Sequence, residues 1–286
     1  MLTVPASRTY SASLHQPGSL ERDSAEFWRL GFLPVRGAFS RDEMAIVREA
    51  ILDNPDMRSH SARTKPRAGQ ALRLSFHTLF VWNDTGGSDL FSKVTRSHRI
   101  IDRLEAIFRD RVYVYHNKVA LKYPGVVGFD FHQDFAYWYH MGVVYPDMAS
   151  VFIAVDPANL TNGCLKLVAG SHRLGRLDHV SRGAGYSDSG VDPERLAQIR
   201  ARMPTVAVEL DPGDMVIFHC NTLHGSDDNR SADSRLALLG CYNTQHNSPY
   251  KSTYGHPAYQ AHEKIRDPVV AADRGNLPRF TPSAQD

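Results

Sequence analysis

The sequence predicts a mainly β protein with flanking helices: helical elements come first, then an antiparallel double-sheet jelly roll. Three observations carry that expectation. From residue 111 the chain runs through short β-branched or aromatic segments, "RVYVYHNKVALKY", "ASVFIAVD", "GCLKLVAG", "TVAVELD", "DMVIFHC" and "RLALLGCYN". Gly, Pro, Asn and Asp separate them, as turn residues separate strands. The segments follow one another without the regular helical crossovers of a Rossmann or TIM fold. Upstream of residue 111, apolar positions recur at helical spacing instead.

Residues 1–20, rich in Ser and Pro, read as a flexible N-terminal arm. A single domain over 21–286 follows, with a helical part at 21–110, a jelly-roll core at about 111–250 and a C-terminal extension at 251–286. "SAEFWRLGFLPVRGAFSRDEMAIVREAILDN" reads as helix, short strand, helix. Ser40-Arg41-Asp42-Glu43 is a capping-box pattern, and Met44, Val47, Ala50 and Ile51 form the apolar stripe behind it. Residues 56–75 are polar, basic and poorly periodic, a long loop that serves as a substrate lid or is simply solvated. "SHRIIDRLEAIFRD" is a further amphipathic helix. One helix interrupts the strands, with Asp192 as N-cap and Pro193 as its first residue. Pro212-Gly213 suits the centre of a type II turn.

Composition excludes several classes. With 286 residues and 42% apolar content the chain can bury a sizeable core. Its 33 basic and 31 acidic residues leave no basic excess for nucleic acid. No apolar run approaches the ~20 residues of a membrane span, and "MLTVPASRTYSASLHQPGS" lacks the apolar centre of a secretory signal. Cys164, Cys220 and Cys241 are odd in number and widely spaced, which reads as free thiols in a reducing cytoplasm. A cytoplasmic protein that binds neither nucleic acid nor membrane is expected.

The chemistry concentrates in "FHQDFAYWYH", residues 131–140. On an extended segment His132 and Asp134 point to one side and Gln133 to the other. A third ligand must come from elsewhere, and "FHCNTLHGSDDNRSADSRLALL" (218–239) offers two histidines. His219 lies inside an apolar strand, where a core or sheet-face histidine is the default. His224 lies just after it, before Gly225, and is preferred. Two imidazoles and a carboxylate suit Fe(II) with positions left open; zinc accepts the same donors with a water in the fourth place. The company favours iron. Arg235 stands 235 − 224 = 11 residues beyond His224, and its guanidinium is suited to clamp a carboxylate. Ser226 adds a hydroxyl, and no H-E-x-x-H base motif supports a zinc hydrolase.

The segments "HQDFAYW" (132–138), "NGCLKLVAGSHRLG" (162–175), "DPGDMVIFH" (211–219) and "LHGSDDNRSADSR" (223–235), with "FWRLGFLPVRGAFSRDEM" (27–44) upstream, resemble the phytanoyl-CoA dioxygenase family of Fe(II)/2-oxoglutarate-dependent oxygenases. The resemblance spans about residues 25–250. It implies the double-stranded β-helix form of the jelly roll, a cupin-like fold, with His132, Asp134 and His224 as iron ligands. By the same resemblance Arg235, assisted by Ser226, holds the distal carboxylate of 2-oxoglutarate. O2 is the oxidant, and succinate and CO2 are released. Related halogenases replace the carboxylate ligand by a small residue; Asp134 is present, so hydroxylation of an unactivated C–H is expected. The substrate class is a small molecule, amino-acid-like or a natural-product intermediate. Desaturation, cyclisation or epimerisation would use the same centre, and a metal-binding jelly-roll sensor without oxygenase activity is the rival from another class. Tyr137, Trp138 and Tyr139 are expected to wall the substrate pocket, Trp138 foremost, or to be ordinary core aromatics. Of Asn117 and Lys118, alternation lets one face inward, toward 2-oxoglutarate or substrate. His172 and Arg173 read as structure beside the site, and His116, His140, His179 and His246 as ordinary polar residues. The basic residues Arg58, Arg63, Lys65, Arg67 and Arg73 suit an anionic substrate or serve solubility.

Overall fold

Serine caps set where the first two helices begin. In the computed structural model, which describes residues 19–57, 72–73, 79–82, 87–181, 189–251 and 257–278, helix α1 (Leu20–Leu30) starts at Ser19 and ends at Gly31, whose φ is 84°. Strand β1 (Phe32–Val35) follows. Helix α2 (Arg41–Asp53) opens with the complete capping box expected from the sequence. Ser40 N donates to Glu43 Oε2 at 2.8 Å and Glu43 N donates to Ser40 Oγ at 3.1 Å, which satisfies two otherwise orphaned donors. Helix α3 (Leu90–Thr95) is capped by Asp89. Helix α4 (His98–Phe108) is the amphipathic helix anticipated there, and it buries Ile100, Ile101, Leu104 and Ile107. A short α5 (Asp134–Trp138) and α6 (Pro193–Arg200) lie among the later strands; α6 has Asp192 as its cap and Pro193 in its first turn. No helix among the described residues is long and apolar enough to cross a membrane.

The remaining strands are β2 (Leu72–Arg73), β3 (Leu79–Trp82), β4 (Val112–Lys122), β5 (Val126–Val127), β6 (Met148–Ala154), β7 (Leu165–Val168), β8 (His179–Ser181), β9 (Ser189–Val191), β10 (Thr205–Val208), β11 (Met215–His219), β12 (His224–Ser226) and β13 (Arg235–Thr244). Six form one antiparallel sheet in the order β1-β11-β6-β13-β4-β3, and a smaller sheet runs β10-β7-β12. Together they make the jelly roll. Within the expected loop 56–75, Leu72–Arg73 instead pairs in parallel with Val126–Val127. Residues 1–18 of the expected arm and the basic positions Arg58, Arg63, Lys65 and Arg67 lie outside the described residues.

Alternation along the large sheet gives it two faces with different partners. Leu33, Val151, Ile153, Met215, Ile217, Leu236 and Leu238 face the helices and pack with Phe27, Met44, Val47, Phe91 and Leu104. Phe32, Phe152, Ala154, Val216, Phe218 and Ala237 face inward and pack with Leu165, Leu167, Val206 and Val208 of the small sheet. Each large apolar side chain buried this way contributes roughly 1.5–3 kcal/mol. A β-bulge shifts the register of β13 on β4 between Cys241 and Tyr242, so that Cys241 faces His116 while Tyr242 faces Val114. The extra residue, Tyr115, reverses the alternation. Val114 and Val119 therefore both reach the helix-facing core despite their odd separation. Beyond the bulge, Lys118, Ala120 and Lys122 lie opposite Leu239, Ala237 and Arg235 and share their inward face.

The Pro212-Gly213 turn is formed as expected, with φ 93° at Gly213. Its carbonyl accepts from Phe39 N at 2.9 Å, and a Cβ there would run into the Phe39 carbonyl oxygen. Gly213→Ala is expected to lower stability by at least about 1–2 kcal/mol from the left-handed backbone alone, visible as a reduced midpoint in urea unfolding.

Candidate metal centre

His132 and His224 meet across an isolated antiparallel bridge. His132 N donates to His224 O at 2.9 Å and His224 N to His132 O at 3.0 Å. Residues paired this way project from the same face, and the two rings lie 4.1 Å apart between centroids. Phe218 packs against the His224 ring at 4.8 Å from the inner face of the large sheet. Asp134 departs from the expected extended geometry. After Gln133 the backbone turns, and Asp134 is the first residue of α5. Phe135 N, donating to Cys220 O at 3.0 Å, pins that turn. Gln133 does face away. Its amide donates to Gly175 O at 2.9 Å and Asn221 O at 2.7 Å, and its oxygen accepts from Leu177 N at 2.7 Å.

The three side chains are arranged as ligands, not as a hydrogen-bonded cluster. His132 Nδ1 lies 2.8 Å from Asp130 O, and His224 Nδ1 lies 2.9 Å from Thr222 O. Each carbonyl holds the proton on Nδ1 and leaves the Nε2 lone pair free, the tautomer a metal requires. Asp134 Oδ1 stands 3.9 Å from His132 Nε2 and 3.7 Å from His224 Nε2. Those distances are too long for hydrogen bonds but fit donors that share one small cation, and all three lie within 4.8 Å of one another. Asp134 Oδ2 is occupied by the Ser150 hydroxyl at 2.6 Å. Burial first, and then the neighbouring His224, pushes His132 down to about 3, so its ring is neutral. Burial opposes ionisation of Asp134, but His224, Lys118, His132 and the Ser150 hydroxyl outweigh it and hold its carboxyl below the ordinary range. A neutral histidine beside an ionised carboxylate is a donor set that fits Fe(II).

Arg235 opens β13 and is buried on the inward face, opposite Lys122 at the end of β4. Its Nη1 donates to Gly163 O, and its guanidinium carbon sits 5.3 Å over the Phe152 ring. Its Nε is buried without a partner. Lys122, fully buried, donates to Ser226 Oγ at 3.0 Å, to Asp227 O and to Gly163 O at 3.4 Å. Ser226 Oγ also accepts from Phe129 N at 3.2 Å, which leaves the hydroxyl proton for an incoming acceptor. Burial pushes Arg235 down to about 10; burial and then Arg235 push Lys122 down to about 7. Two cations held in this way call for an anion.

Several sequence expectations change in detail. Lys118 faces inward, and its charge acts on Asp134 and Cys241. Asn117 lies opposite Gly240 on the helix-facing side with Val119, so strand alternation removes it from the substrate pocket. Trp138 is 3% exposed and packs edge-on to Tyr115 and His116, each at 5.9 Å. It packs in the buried cluster with Tyr113, Tyr115 and Phe135. The Tyr137 ring is 5.8 Å from His132 and its hydroxyl donates to Ser189 O at 2.8 Å. Tyr139 is half-exposed beneath Arg176. His179, read as an ordinary polar residue, stands 6.5 Å from the His132 ring and 5.1 Å from Tyr137. Its Nε2 accepts from Gln133 N at 3.1 Å, which puts the proton on Nδ1, a buried donor without a partner. His172 and Arg173 bond the Trp28 carbonyl at the end of α1, and His219 packs against Phe27, Trp28 and His172.

The interior thus sets a His–Asp–His cluster that could hold a metal ion in the same fold as the buried cations Arg235 and Lys122. The phytanoyl-CoA dioxygenase family profile matches residues 27–237. The ectoine dioxygenase of Bordetella bronchiseptica is 31% identical over 261 residues, covering 85% of this chain and 79% of that protein. The L-proline trans-4-hydroxylase of Streptomyces griseoviridis is 30% identical over 210 residues, covering 66% and 75%. Among solved structures, EctD from S. alaskensis with 2-oxoglutarate and 5-hydroxyectoine superposes with a TM-score of 0.69 at 23% identity, covering 93% of both chains, a likeness of fold. The chain belongs to the phytanoyl-CoA dioxygenase family and is an iron- and 2-oxoglutarate-dependent dioxygenase.

Lys122 makes stability depend on pH in a calculable direction. Its value is about 7 in the folded chain against an ordinary 10.5, so between those limits the unfolded chain binds the extra proton and wild-type stability rises with pH. Lys122→Met removes that contribution. Relative to wild type, the variant is therefore most favoured below about pH 7 and loses ground toward pH 10.5, which paired thermal melts across that range measure.

Proposed function

We propose that His132, Asp134 and His224 hold the iron, that Arg235 with Ser226 receives the distal carboxylate of 2-oxoglutarate, and that the enzyme hydroxylates an unactivated C–H of a small amino-acid-like molecule. The observation that carries this reading is the buried, incompletely bonded Arg235 guanidinium between the sheets that also hold the His–Asp–His cluster. A sensor that only bound metal would have no need of it. When bound, Fe(II) with 2-oxoglutarate and O2 supplies the oxidising power, with succinate and CO2 as co-products.

The chain's own contribution is orientation and dryness. The bridge between His132 and His224 sets two donors on one face, and Ser150 holds Asp134 by one oxygen so that the other stays available. Arg235 and Ser226 fix one end of the co-substrate by charge and hydrogen bonding. Lys118, on the inward face of β4, acts by its charge on Asp134 and is placed to favour an anionic group there. Tyr137 and His179 wall the side next to His132, where they exclude water, and the free Nδ1–H of His179 can receive a substrate oxygen. The substrate class follows the relatives named for ectoine and L-proline, small cyclic amino acids. Three buried free cysteines, Cys164, Cys220 and Cys241, suit a reducing cytoplasm.

Anaerobic titration with Fe(II) and then 2-oxoglutarate is expected to raise the weak visible charge-transfer band of the wild-type complex. His132→Ala should abolish it through loss of metal. Arg235→Ala should keep metal binding but weaken 2-oxoglutarate by roughly 30-fold or more, as expected when one partner of a buried charged contact is removed. Iron binding without any band would sink the co-substrate assignment and favour the sensor.

For the substrate side, His179→Ala is expected to raise the KM for the hydroxylated substrate by about tenfold, the effect of one lost buried hydrogen bond. Affinity for 2-oxoglutarate should stay unchanged. Succinate release from a screen of cyclic amino acids, followed by product mass, identifies the substrate on which to measure this.

A further inference from the structure

His246 reads from the sequence as an ordinary polar residue, but the fold sets it where three strands end together. β13 runs between β6 and β4 in the large sheet. Its last residues, Asn243 and Thr244, pair with the first residues of those neighbours, Met148 and Val112. His246 follows directly, in a single 3-10 turn (Gln245–Asn247). Asp147 stands just ahead of β6, and Asp110 just ahead of β4. The imidazole joins the two: Nδ1 lies 2.8 Å from Asp110 Oδ2, and Nε2 lies 2.9 Å from Asp147 Oδ2.

That geometry fixes the protonation state. A neutral imidazole has one N–H and one lone pair, so one carboxylate would face a lone pair at hydrogen-bond distance. Both contacts are favourable together for the imidazolium, which donates from each nitrogen. The two contacts are not equivalent. Asp110 Oδ2 also accepts from His246 N at 3.1 Å, and Asp110 Oδ1 accepts from Arg111 N at 2.8 Å. The Asp147 carboxylate has no other hydrogen bond among the described residues. Loss of one proton therefore leaves Asp110 held and frees Asp147.

We propose that His246 is a pH-operated clasp on the end of the large sheet: its imidazolium ties the leads into β4 and β6 to the end of β13, and deprotonation opens the Asp147 side while Nδ1–H stays on Asp110. The freed lead runs straight into β6, the strand whose Ser150 holds Asp134.

The charged groups that face the imidazole are Asp110 from the α4–β4 turn and Asp147 from the lead into β6. The Tyr145 ring packs against it at 5.8 Å, and Arg109 and Arg111, which flank Asp110, are exposed. The hydrogen bond to Asp110, and after it that to Asp147, holds His246 above its ordinary 6.5. The stability this contributes is complete below 6.5 and is lost as pH rises through the folded value. Burial opposes ionisation of Asp110, but His246 and the Arg111 amide outweigh it and hold its carboxyl below the ordinary 3.8. The Asp110 contribution is thus present above 3.8 and disappears as pH falls through its folded value. The clasp is closed between these two limits.

The experiment is long-range proton–nitrogen NMR of the full chain carrying 15N-histidine, from about pH 6 to about pH 9. The signal that vanishes in His246→Gln identifies the ring. Both nitrogens are expected to be protonated at the acid end, with a midpoint above 6.5 and the Nδ1–H tautomer beyond it. A midpoint at or below 6.5, or a neutral ring with its proton on Nε2, overturns the proposal. Paired thermal melts of wild type and Asp147→Asn supply the second arm. The variant should melt lower than wild type at about pH 6 and match or exceed it at about pH 9, where the new amide can donate to the bare Nε2. A deficit of the same size at both ends of the range means that the clasp is not operated by pH. Should Asp147→Asn fold poorly, the wild-type titration decides.

Discussion

The reciprocal backbone bond between His132 and His224 is the constraint on which the site depends. Two hydrogen bonds, at 2.9 and 3.0 Å, bring together residues 92 positions apart (224 − 132) and commit both rings to one face. Everything else adjusts to that pairing. The turn into α5 aims Asp134 at the gap, Phe218 packs the His224 ring from the large sheet, and carbonyls of Asp130 and Thr222 choose the tautomers. The donors are organised by the backbone before any ion arrives, so binding need not order long, flexible side chains.

The interior between the sheets is unusual in how it handles charge. Near the histidines, an ionised Asp134 is tolerated because Ser150 and adjacent cations compensate its burial. At Arg235 and Lys122 the balance is left incomplete, and both side chains are displaced toward their neutral forms. A folded protein retains such groups at a cost to its own stability when a ligand is to complete them. The apolar faces of the same strands supply the compensating stability: β13 alternates Leu236 and Leu238 into the helical layer with Arg235 and Ala237 toward the small sheet.

Residues differ in how legible they were, and the difference is physical. The residue types at 132, 134, 226 and 235 were readable from their spacing along the chain; the structure groups His132 and Asp134 with His224, and sets Ser226 on Lys122, which lies opposite Arg235. The choice of His224 over His219 was readable because a histidine within "MVIFH" is bound to the strand's own alternation, and His219 indeed packs with Phe27 and Trp28. The Ser40 and Asp192 caps were readable because capping is local. Trp138 and Tyr137 were adjacent and equivalent in sequence; only the α5 turn sent one into the core and the other to His132. Ser150 is the lone hydroxyl of "MASVFIA", and no local signal says that its inward face meets Asp134.

The sequence by itself determined the element order, the caps and turns, the family and the residue types at the centre, because each of these is written within a few positions or at a characteristic spacing. The tertiary structure alone decided which side chains share the interior. The bulge opposite Cys241 and Tyr242 reverses alternation along β4, which sends Lys118 and Lys122 inward and Asn117 toward the helices. Crossing strands bring Gly163 to Arg235 and Lys122, and the β8 segment brings His179 beside His132. A one-residue change in register inverts every later side chain of a strand, and that register is set by pairing with distant strands.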